Sequence, residues 1–120
     1  MATSNDCLFC KIVAGEIPND TVYETDSVLA FRDISPRAAV HVLVIPKSHE
    51  DTLAEMAADD AGSVAELFAA AGEVARIEGV DQTGYRVVSN VGSDGGQEVF
   101  HVHVHVLGGQ QLGPVGPLRD

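Results

Sequence analysis

Basic residues are scarce in this sequence. It contains 7 Lys and Arg against 18 Asp and Glu, which gives a formal net charge of −11. Nucleic-acid polymers and anionic membrane surfaces are bound through an excess of Lys and Arg, so the composition argues against both as partners. A small anionic ligand is still compatible with this charge, because a local site can oppose the global balance.

The sequence also lacks a long apolar run. No stretch reaches the roughly 18 apolar residues that a membrane-spanning helix requires. The first ten residues, MATSNDCLFC, have neither a basic start nor an apolar segment of signal-peptide length. We therefore expect a cytoplasmic protein that neither enters the secretory pathway nor crosses a membrane.

Cysteine is limited to one pair, Cys7 and Cys10, in a C-x-x-C spacing. In a reducing cytoplasm this spacing suggests metal binding or redox chemistry more than a structural disulfide. A thioredoxin-type motif is expected between a strand and a helix. The position of this pair, within ten residues of the start, disfavours that interpretation.

The length of 120 residues and the 45% hydrophobic content predict a single domain over residues 1–120. Apolar periodicity and turn residues favour an α+β fold, with a five-stranded, mainly antiparallel sheet, one long helix and a short N-terminal helix. Residues 48–58 are compatible with a single helical turn, and residues 108–120 with an irregular tail. The predicted ranges are Leu8 to Ala14 (helix), Thr21 to Glu24, Val28 to Phe31 and His41 to Ile45 (strands), Asp60 to Gly79 (helix), and Tyr85 to Asn90 and His101 to Leu107 (strands).

The long helix carries both start and stop signals. Asp59 and Asp60 are candidate N-caps, and Gly79 is a natural end. The run 69–71 is Ala-Ala-Ala, a small-residue surface suited to close packing in a dimer or in the core. The apolar positions that repeat at helical spacing are Val64, Leu67, Phe68, Ala71, Val74 and Ala75.

Three of the five histidines alternate with valine in HVHVHVLGG, residues 101–109. In a strand, successive side chains point to opposite faces, so His101, His103 and His105 share one face and the valines point into the core. Histidines two apart lie about 6–7 Å apart along the strand, so adjacent ones can hold two groups of one ligand.

Three interpretations of this histidine face are open. It can be a solvated strand face, a metal site, since imidazoles at i and i+2 can coordinate zinc, or a site for chemistry on phosphate. Neutral imidazole is a nucleophile at physiological pH, and imidazolium binds anions. The preceding loop, residues 93–97, favours the phosphate site, because its glycines can expose backbone N–H groups to an anion.

The segment GSDGGQEVFHVHVHVLGG, residues 92–109, closely resembles the signature of the histidine triad (HIT) superfamily. The resemblance extends through CLFCKIVAGEIP, VLAFRDISPRAAVHVLVIPKSH and GYRVVSNVGSDGGQ, which are similar to the histidine triad nucleotide-binding branch. The fragile-histidine-triad branch would continue with Pro-Arg after the triplet, where this chain has Gly108-Gly109.

The resemblance implies a dimer in which two five-stranded sheets form a ten-stranded one, and hydrolysis of purine nucleoside 5′-phosphoramidates to the nucleoside monophosphate. His103 then corresponds to the nucleophile that forms a nucleotidyl-histidine intermediate. His105 corresponds to a phosphate-binding residue that neutralises charge, and His41 to the fourth histidine of the family.

The resemblance also implies a nucleotide-binding set. Asp33 corresponds to the ribose-hydroxyl ligand, with Ile34 beside it. The purine-pocket positions are Phe9, Ile12, Phe31 and Leu43, and the phosphate-side positions are Asn90, Gly96, Gln97 and Glu98. The chain departs from eukaryotic members in two places: Glu98 replaces a serine beside the leaving group, and the C-terminal tail has no tryptophan.

Many bacterial-type relatives carry the C-x-x-C pair, and in that subset the pair, the histidine of the PKxH stretch and the first triad histidine resemble a zinc site. The resemblance implies Cys7, Cys10, His49 and His101 as the corresponding ligands here. A Cys2His2 shell is closed and therefore structural, which would leave His103 and His105 for the nucleotide. The expected ligand is a purine nucleoside monophosphate or its phosphoramidate. The alternative functions are hydrolysis of dinucleoside polyphosphates and nucleotide binding without useful turnover.

Overall fold

The computed structural model describes residues 6–115 and confirms the predicted α+β class. A helix of nearly two turns, longer than the single turn allowed by the sequence, follows the third strand. Residues 109–115 contain neither helix nor strand, and the last five residues of the predicted tail lie outside the described range. The elements are α1 (Leu8–Val13), β1 (Thr21–Glu24), β2 (Val28–Arg32), β3 (Val40–Pro46), α2 (Leu53–Asp59), α3 (Ala61–Ile77), β4 (Tyr85–Val88) and β5 (Val104–Gly108).

The five strands form one sheet in the order β1-β2-β3-β5-β4, and every neighbouring pair is antiparallel. Strand β5 therefore lies between β3 and β4. This position places the histidine-rich segment in the interior of the sheet, beside His41 of β3. The two edge strands are β1 and β4.

A hydrophobic core lies on each face of the sheet. On one face, α2 and α3 pack against alternate side chains of β2, β3 and the triplet segment, and Val102, Val104 and Val106 are buried there as predicted. On the other face, α1 packs against Leu29, Phe31, Leu43 and Ile45. The histidines belong to this second face, and α1 contacts His101 and His103 through the ring of Phe9.

The long helix begins one residue later than predicted because Asp60 is its N-cap and accepts a hydrogen bond from Ser63 N–H. Ala70 and Ala71 are buried in the core, so the packing of the sheet explains two of the three alanines. Phe68, predicted to face the core, is instead 40% exposed. Within residues 6–115, no helix is long and apolar enough to cross a membrane.

The prediction of a strand from His101 to Leu107 was wrong at its start. The ladder with β3 ends at the pair Val44–Val104, and residues 101–103 bond to loops instead. Val102 N–H donates to the Glu50 carbonyl, and the Ser89 hydroxyl donates to the His103 carbonyl. Strand β4 likewise ends at Val88 and not at Asn90.

Candidate functional site

The three histidines of the triplet lie on the α1 side of the sheet, opposite the three valines. His101 is fully buried and His103 is 7% exposed, while His105 is half-buried. The interpretation as a solvated strand face was therefore wrong. Burial of imidazole requires partners for its ring nitrogens, and each ring has a distinct set.

His103 is held with one ring nitrogen available. Its Nδ1 lies 2.8 Å from the carbonyl oxygen of His101, and a carbonyl can only accept, so Nδ1 carries the proton. Nε2 of the neutral ring then has a free lone pair, which is the form of imidazole that acts as a nucleophile. The Phe9 ring contacts the imidazole edge-on, with ring centroids 5.1 Å apart.

His41 and His105 are joined by a hydrogen bond, and the partners of their ring nitrogens define the tautomer of each ring. The backbone N–H of Arg37 donates to His41 Nδ1, so the proton of neutral His41 is on Nε2. That N–H donates to His105 Nδ1 at 2.9 Å, and Asp33 Oδ2 lies 3.5 Å from the same nitrogen. His105 therefore carries its proton on Nε2, where it can donate to a ligand.

Burial lowers the pKa of His105 to about 4 and also lowers the pKa of His41, which the Asp33 carboxylate partly opposes. Both rings are neutral at pH 7 without ligand. In the unliganded site His105 therefore offers a neutral hydrogen-bond donor. Neutralisation of phosphate charge by this residue stays a prediction for the liganded site.

Asp33, His41 and His105 place potential metal-ligating atoms within 4.8 Å of one another. The hydrogen bonds oppose a metal here, because Nε2 of His41 is protonated and has no lone pair for an ion. Binding an ion at that nitrogen would require loss of the hydrogen bond from Arg37 N–H. The three residues therefore fix the position of a proton and do not favour a metal ion.

A cleft of about 280 Å³ opens beside Asp33 on the α1 side of the sheet. It is enclosed by α1, residues 17–20 before β1 and the end of β2, and its wall is mostly apolar. Ile34 is 99% exposed at its rim. The cleft brings together the residues predicted for the purine and ribose, Phe9, Ile12, Phe31, Asp33, Ile34 and Leu43.

The loop at residues 90–97 begins directly after β4, which pairs with β5 beside His105. The N–H groups of its glycines are already used: those of Gly95 and Gly96 donate to carbonyls in the loop, and that of Gly92 donates to Gln97 Oε1. The prediction that these glycines expose N–H groups to an anion was therefore wrong. Asn90 Nδ2 donates to the Gly95 carbonyl and closes the loop.

Gln97 and Glu98, both predicted to lie beside the phosphate, differ in burial and in the contacts they make. Gln97 is 5% exposed, and its Nε2 donates to the carbonyls of Asp51 and Val99, so its side chain holds the loop in place. Glu98 is exposed and borders a surface hollow together with Cys7 and His49. Its carboxylate therefore lies on the side of the cysteine pair.

Cys7, Cys10, His49 and His101 form the second candidate site and could bind a metal ion, since their ligating atoms all lie within 4.8 Å of one another. The neighbouring S–N distances are 3.3, 3.3 and 3.5 Å. Bond lengths of about 2.3 Å for Zn–S and 2.0 Å for Zn–N place tetrahedral S and N ligands about 3.5 Å apart. The four residues therefore fit one tetrahedral ion, and the cysteines are not joined by a disulfide.

Hydrogen bonds aim both imidazoles at this centre. His101 Nε2 donates to the Pro46 carbonyl, and His49 Nε2 donates to the Asp51 carboxylate. Each Nδ1 is then left with a lone pair directed at the cysteine sulfurs. Outer hydrogen bonds of this kind fix the tautomer of metal-binding histidines. Burial lowers the pKa of His101 to about 4, which also keeps its ring neutral.

Sequence reasoning missed the groups that orient these histidines. Three of them are backbone groups: the Arg37 N–H, the Pro46 carbonyl and the His101 carbonyl. Backbone groups have no residue-type signature, so no motif could have revealed them. Ser89 was missed because its hydroxyl acts only where the β4–β5 ladder stops. Asp51 was missed because it lies in residues 48–58, for which the sequence indicated no more than a single helical turn.

Comparison with known proteins identifies the family of this chain and several similar proteins. The HIT domain model matches residues 14–112, and the chain belongs to the HIT family. The purine nucleoside phosphoramidase of Escherichia coli (strain K12) is 42% identical over 112 residues, 93% of this chain and 94% of that protein. The family resemblance inferred from the sequence is thereby confirmed.

Solved structures agree with this assignment. A HIT family hydrolase from Legionella pneumophila Philadelphia 1 is 50% identical, with a TM-score of 0.85 over 88% of this chain and 95% of that chain. A histidine triad protein from Clostridium difficile is 48% identical, with a TM-score of 0.89 over 92% and 96% of the two chains.

Proposed function

We propose that this protein is a purine nucleoside phosphoramidase, which hydrolyses the P–N bond of nucleoside 5′-phosphoramidates through His103. The observation that carries the proposal is the hydrogen bond from His103 Nδ1 to the His101 carbonyl, because it leaves a nucleophilic lone pair on Nε2. The likeness to the Escherichia coli phosphoramidase supports the substrate class.

The nucleotide occupies the cleft with its base between apolar side chains. Phe9 and Ile12 of α1 form one wall, and Phe31 and Leu43 of the sheet form the other. The Asp33 carboxylate accepts hydrogen bonds from the ribose hydroxyls, and Ile34 covers the sugar at the rim. This arrangement directs the α-phosphate toward the histidines.

The reaction proceeds in two displacements. His103 Nε2 attacks the α-phosphorus, the bond from phosphorus to the amine breaks, and the amine leaves with a proton taken from solvent. Water then attacks the nucleotidyl-histidine, the bond to imidazole breaks, and the water returns a proton to solvent. A covalent intermediate of this kind divides one difficult displacement into two easier ones.

His105 stabilises the charge on the phosphate oxygens by donating its Nε2–H, and His41 fixes the tautomer that makes this possible. An anionic phosphate beside the ring raises the pKa of His105 when ligand binds. Asn90, Gly96, Gln97 and Glu98 border the phosphate and the leaving group. Asn90 and Gln97 act through the shape of the loop, since their amides are bonded within it and to residue 51.

The metal in this proposal is zinc, bound by Cys7, Cys10, His49 and His101, and the site is structural because all four positions are filled by protein. When bound, the ion supplies a rigid cross-link and no open position for a substrate. It joins the N-terminal segment to the loop after Pro46 and to the start of the catalytic segment. We further propose that residues 1–120 form a single HIT domain.

One experiment separates this function from its two alternatives. The same preparation is offered an AMP–amine phosphoramidate and a diadenosine polyphosphate, with released amine and released nucleotide measured. We expect the phosphoramidate to give the higher kcat/KM by about 100-fold or more, since an interaction made only in the transition state contributes that much. Preferential cleavage of the diadenosine compound favours the polyphosphate hydrolase, and binding of AMP without turnover of either favours the binding module.

The quaternary structure we propose is a homodimer that joins two sheets through their β4 edges into ten strands. Strand β4 is an edge strand with Tyr85 39% exposed, and an open edge favours pairing. We expect sedimentation to give twice the mass of the chain at micromolar concentration, and Tyr85→Lys to weaken the dimer. Thr21→Lys on the opposite edge, β1, is the matched control and should leave the mass unchanged. A stable monomer at that concentration contradicts the proposal.

A further inference from the structure

We propose that metal binding at the Cys–His centre and nucleotide binding at the His103 site are coupled, so that each raises the affinity for the other. The inference rests on the proposed function for its ligand, a purine nucleoside monophosphate. It goes beyond a structural role for the metal, because it assigns to the metal-binding residues an effect on nucleotide affinity. Three separate contacts connect the two sites.

The first contact is within His101. Its ring is a metal ligand, and its main-chain carbonyl accepts the Nδ1–H of the nucleophile His103. The ring is fixed at both nitrogens, by the metal centre and by the Pro46 carbonyl. Because the residue is fully buried, a shift of its ring is transmitted to the backbone that orients His103.

The second contact passes through α1. Cys7 and Cys10 lie at its N-cap and in its first turns, and Phe9 lies between them with its ring against His103. Phe9 also contacts Phe31 across the cleft, at a ring-centroid distance of 5.8 Å. A helix of six residues is not stable by itself in water, so its position depends on what anchors it. A metal ion bound to two of its cysteines is such an anchor.

The third contact links the metal centre to the phosphate-side loop. His49 donates to the Asp51 side chain, and the Asp51 carbonyl accepts from Gln97 Nε2. Gln97 in turn accepts from the Gly92 N–H through Oε1. The loop is closed on itself by internal hydrogen bonds, which the N–H groups of Gly95 and Gly96 and the side chain of Asn90 donate to loop carbonyls. Displacement of residues 49–51 therefore moves the loop as a unit.

The two ligands strengthen each other's binding because both require the same protein segments to be ordered. With metal bound, α1, His101 and the 49–51 segment are already in the positions that the nucleotide requires. Without metal, the nucleotide must order them, and that cost reduces its affinity. By thermodynamic reciprocity the nucleotide strengthens metal binding by the same factor.

The test is a pair of binding measurements on the wild-type chain. Calorimetry gives the Kd of AMP for the zinc-loaded and chelator-stripped protein, with circular dichroism verifying the fold of both. Competition with a chromophoric chelator gives the zinc affinity with and without saturating AMP. We expect both affinities to change by the same factor, about 10-fold. Equal affinities within twofold in either pair overturn the coupling.

Matched variants on α1 distinguish this coupling from a general gain in stability. Phe9→Leu keeps all four metal ligands but loses the ring contact with His103, so the coupling factor should fall toward one. Val13→Ala changes the packing of the same helix outside the cleft and should retain the factor. An equal reduction by both variants refutes the proposed contact. Failure of the zinc-loaded wild type to bind AMP refutes the proposed function instead.

Discussion

Replacing His103 by Ala is expected to abolish phosphoramidate hydrolysis while AMP binding survives. The substitution removes the only buried imidazole whose Nε2 lone pair is left free by its Nδ1–H bond to a carbonyl, among the histidines that the structure describes. Loss of a nucleophile lowers turnover by about 10⁴-fold or more. The measurement is released amine, and calorimetry should show AMP affinity within about fivefold of wild type, because the apolar cleft and Asp33 are unchanged.

Two observations make this result specific for covalent catalysis. Rapid quenching and intact-protein mass spectrometry should detect a nucleotidyl adduct on the wild type and none on His103→Ala. His105→Ala should lose less, on the order of 10²- to 10³-fold, because it removes a hydrogen-bond donor and leaves the nucleophile. Hydrolysis near the wild-type rate by the His103 variant contradicts the mechanism.

Replacing Cys7 by Ser is expected to release the metal and lower the melting temperature. Serine keeps the start of α1 intact, because Cys7 Sγ is the N-cap acceptor for Cys10 N–H and serine is also a favourable N-cap. The variant therefore tests the loss of the metal ligand. A ligand present at 1,000 times its Kd stabilises the fold by about 4 kcal/mol. For a domain of this size we therefore expect a fall in Tm of about 10 °C or more.

Elemental analysis provides the direct measurement, with about one zinc per chain expected in the wild type and far less in Cys7→Ser. Metal affinity should fall as pH drops, because thiols and imidazoles must be deprotonated to bind. A chelator should lower Tm more than it lowers initial turnover at saturating substrate, since His103 is not a ligand. A metal-free wild type with full stability and two titratable thiols refutes the zinc site.

The alternation of histidine and valine predicted the orientation of the histidine-rich segment correctly. A period of two has the same consequence in any extended backbone, so the valines reach the core even at residue 102, outside the β5 ladder. The length of the strand was not predictable in the same way. It depends on where β3 stops pairing with β5, and the last paired residues, Val44 and Val104, are 60 positions apart in the chain.

The loop before the triplet shows a second limit. Its glycines suggested free N–H groups, because glycine allows the backbone to turn them outward. In the structure the same flexibility closes the loop on itself, with Gly96 at a φ of +90° and each of the three glycine N–H groups hydrogen-bonded within it. Composition indicates that a tight loop is possible, but not which acceptors its amides find.

The α+β class and the shared face of the histidines could be predicted from residue type and local spacing, which are complete in the primary structure. The family and the set of four potential metal ligands came from the resemblance of whole segments to the HIT superfamily. Which nitrogen of each histidine carries its proton depends on the fold, because the partners of those nitrogens are the Arg37 N–H, three backbone or side-chain oxygens and another histidine. The fold separates five chemically identical side chains into two rings directed at the cysteines, one ring with a free Nε2 lone pair and one hydrogen-bonded pair. The physical reason is that an imidazole has two inequivalent nitrogens, and long-range hydrogen bonds select between them.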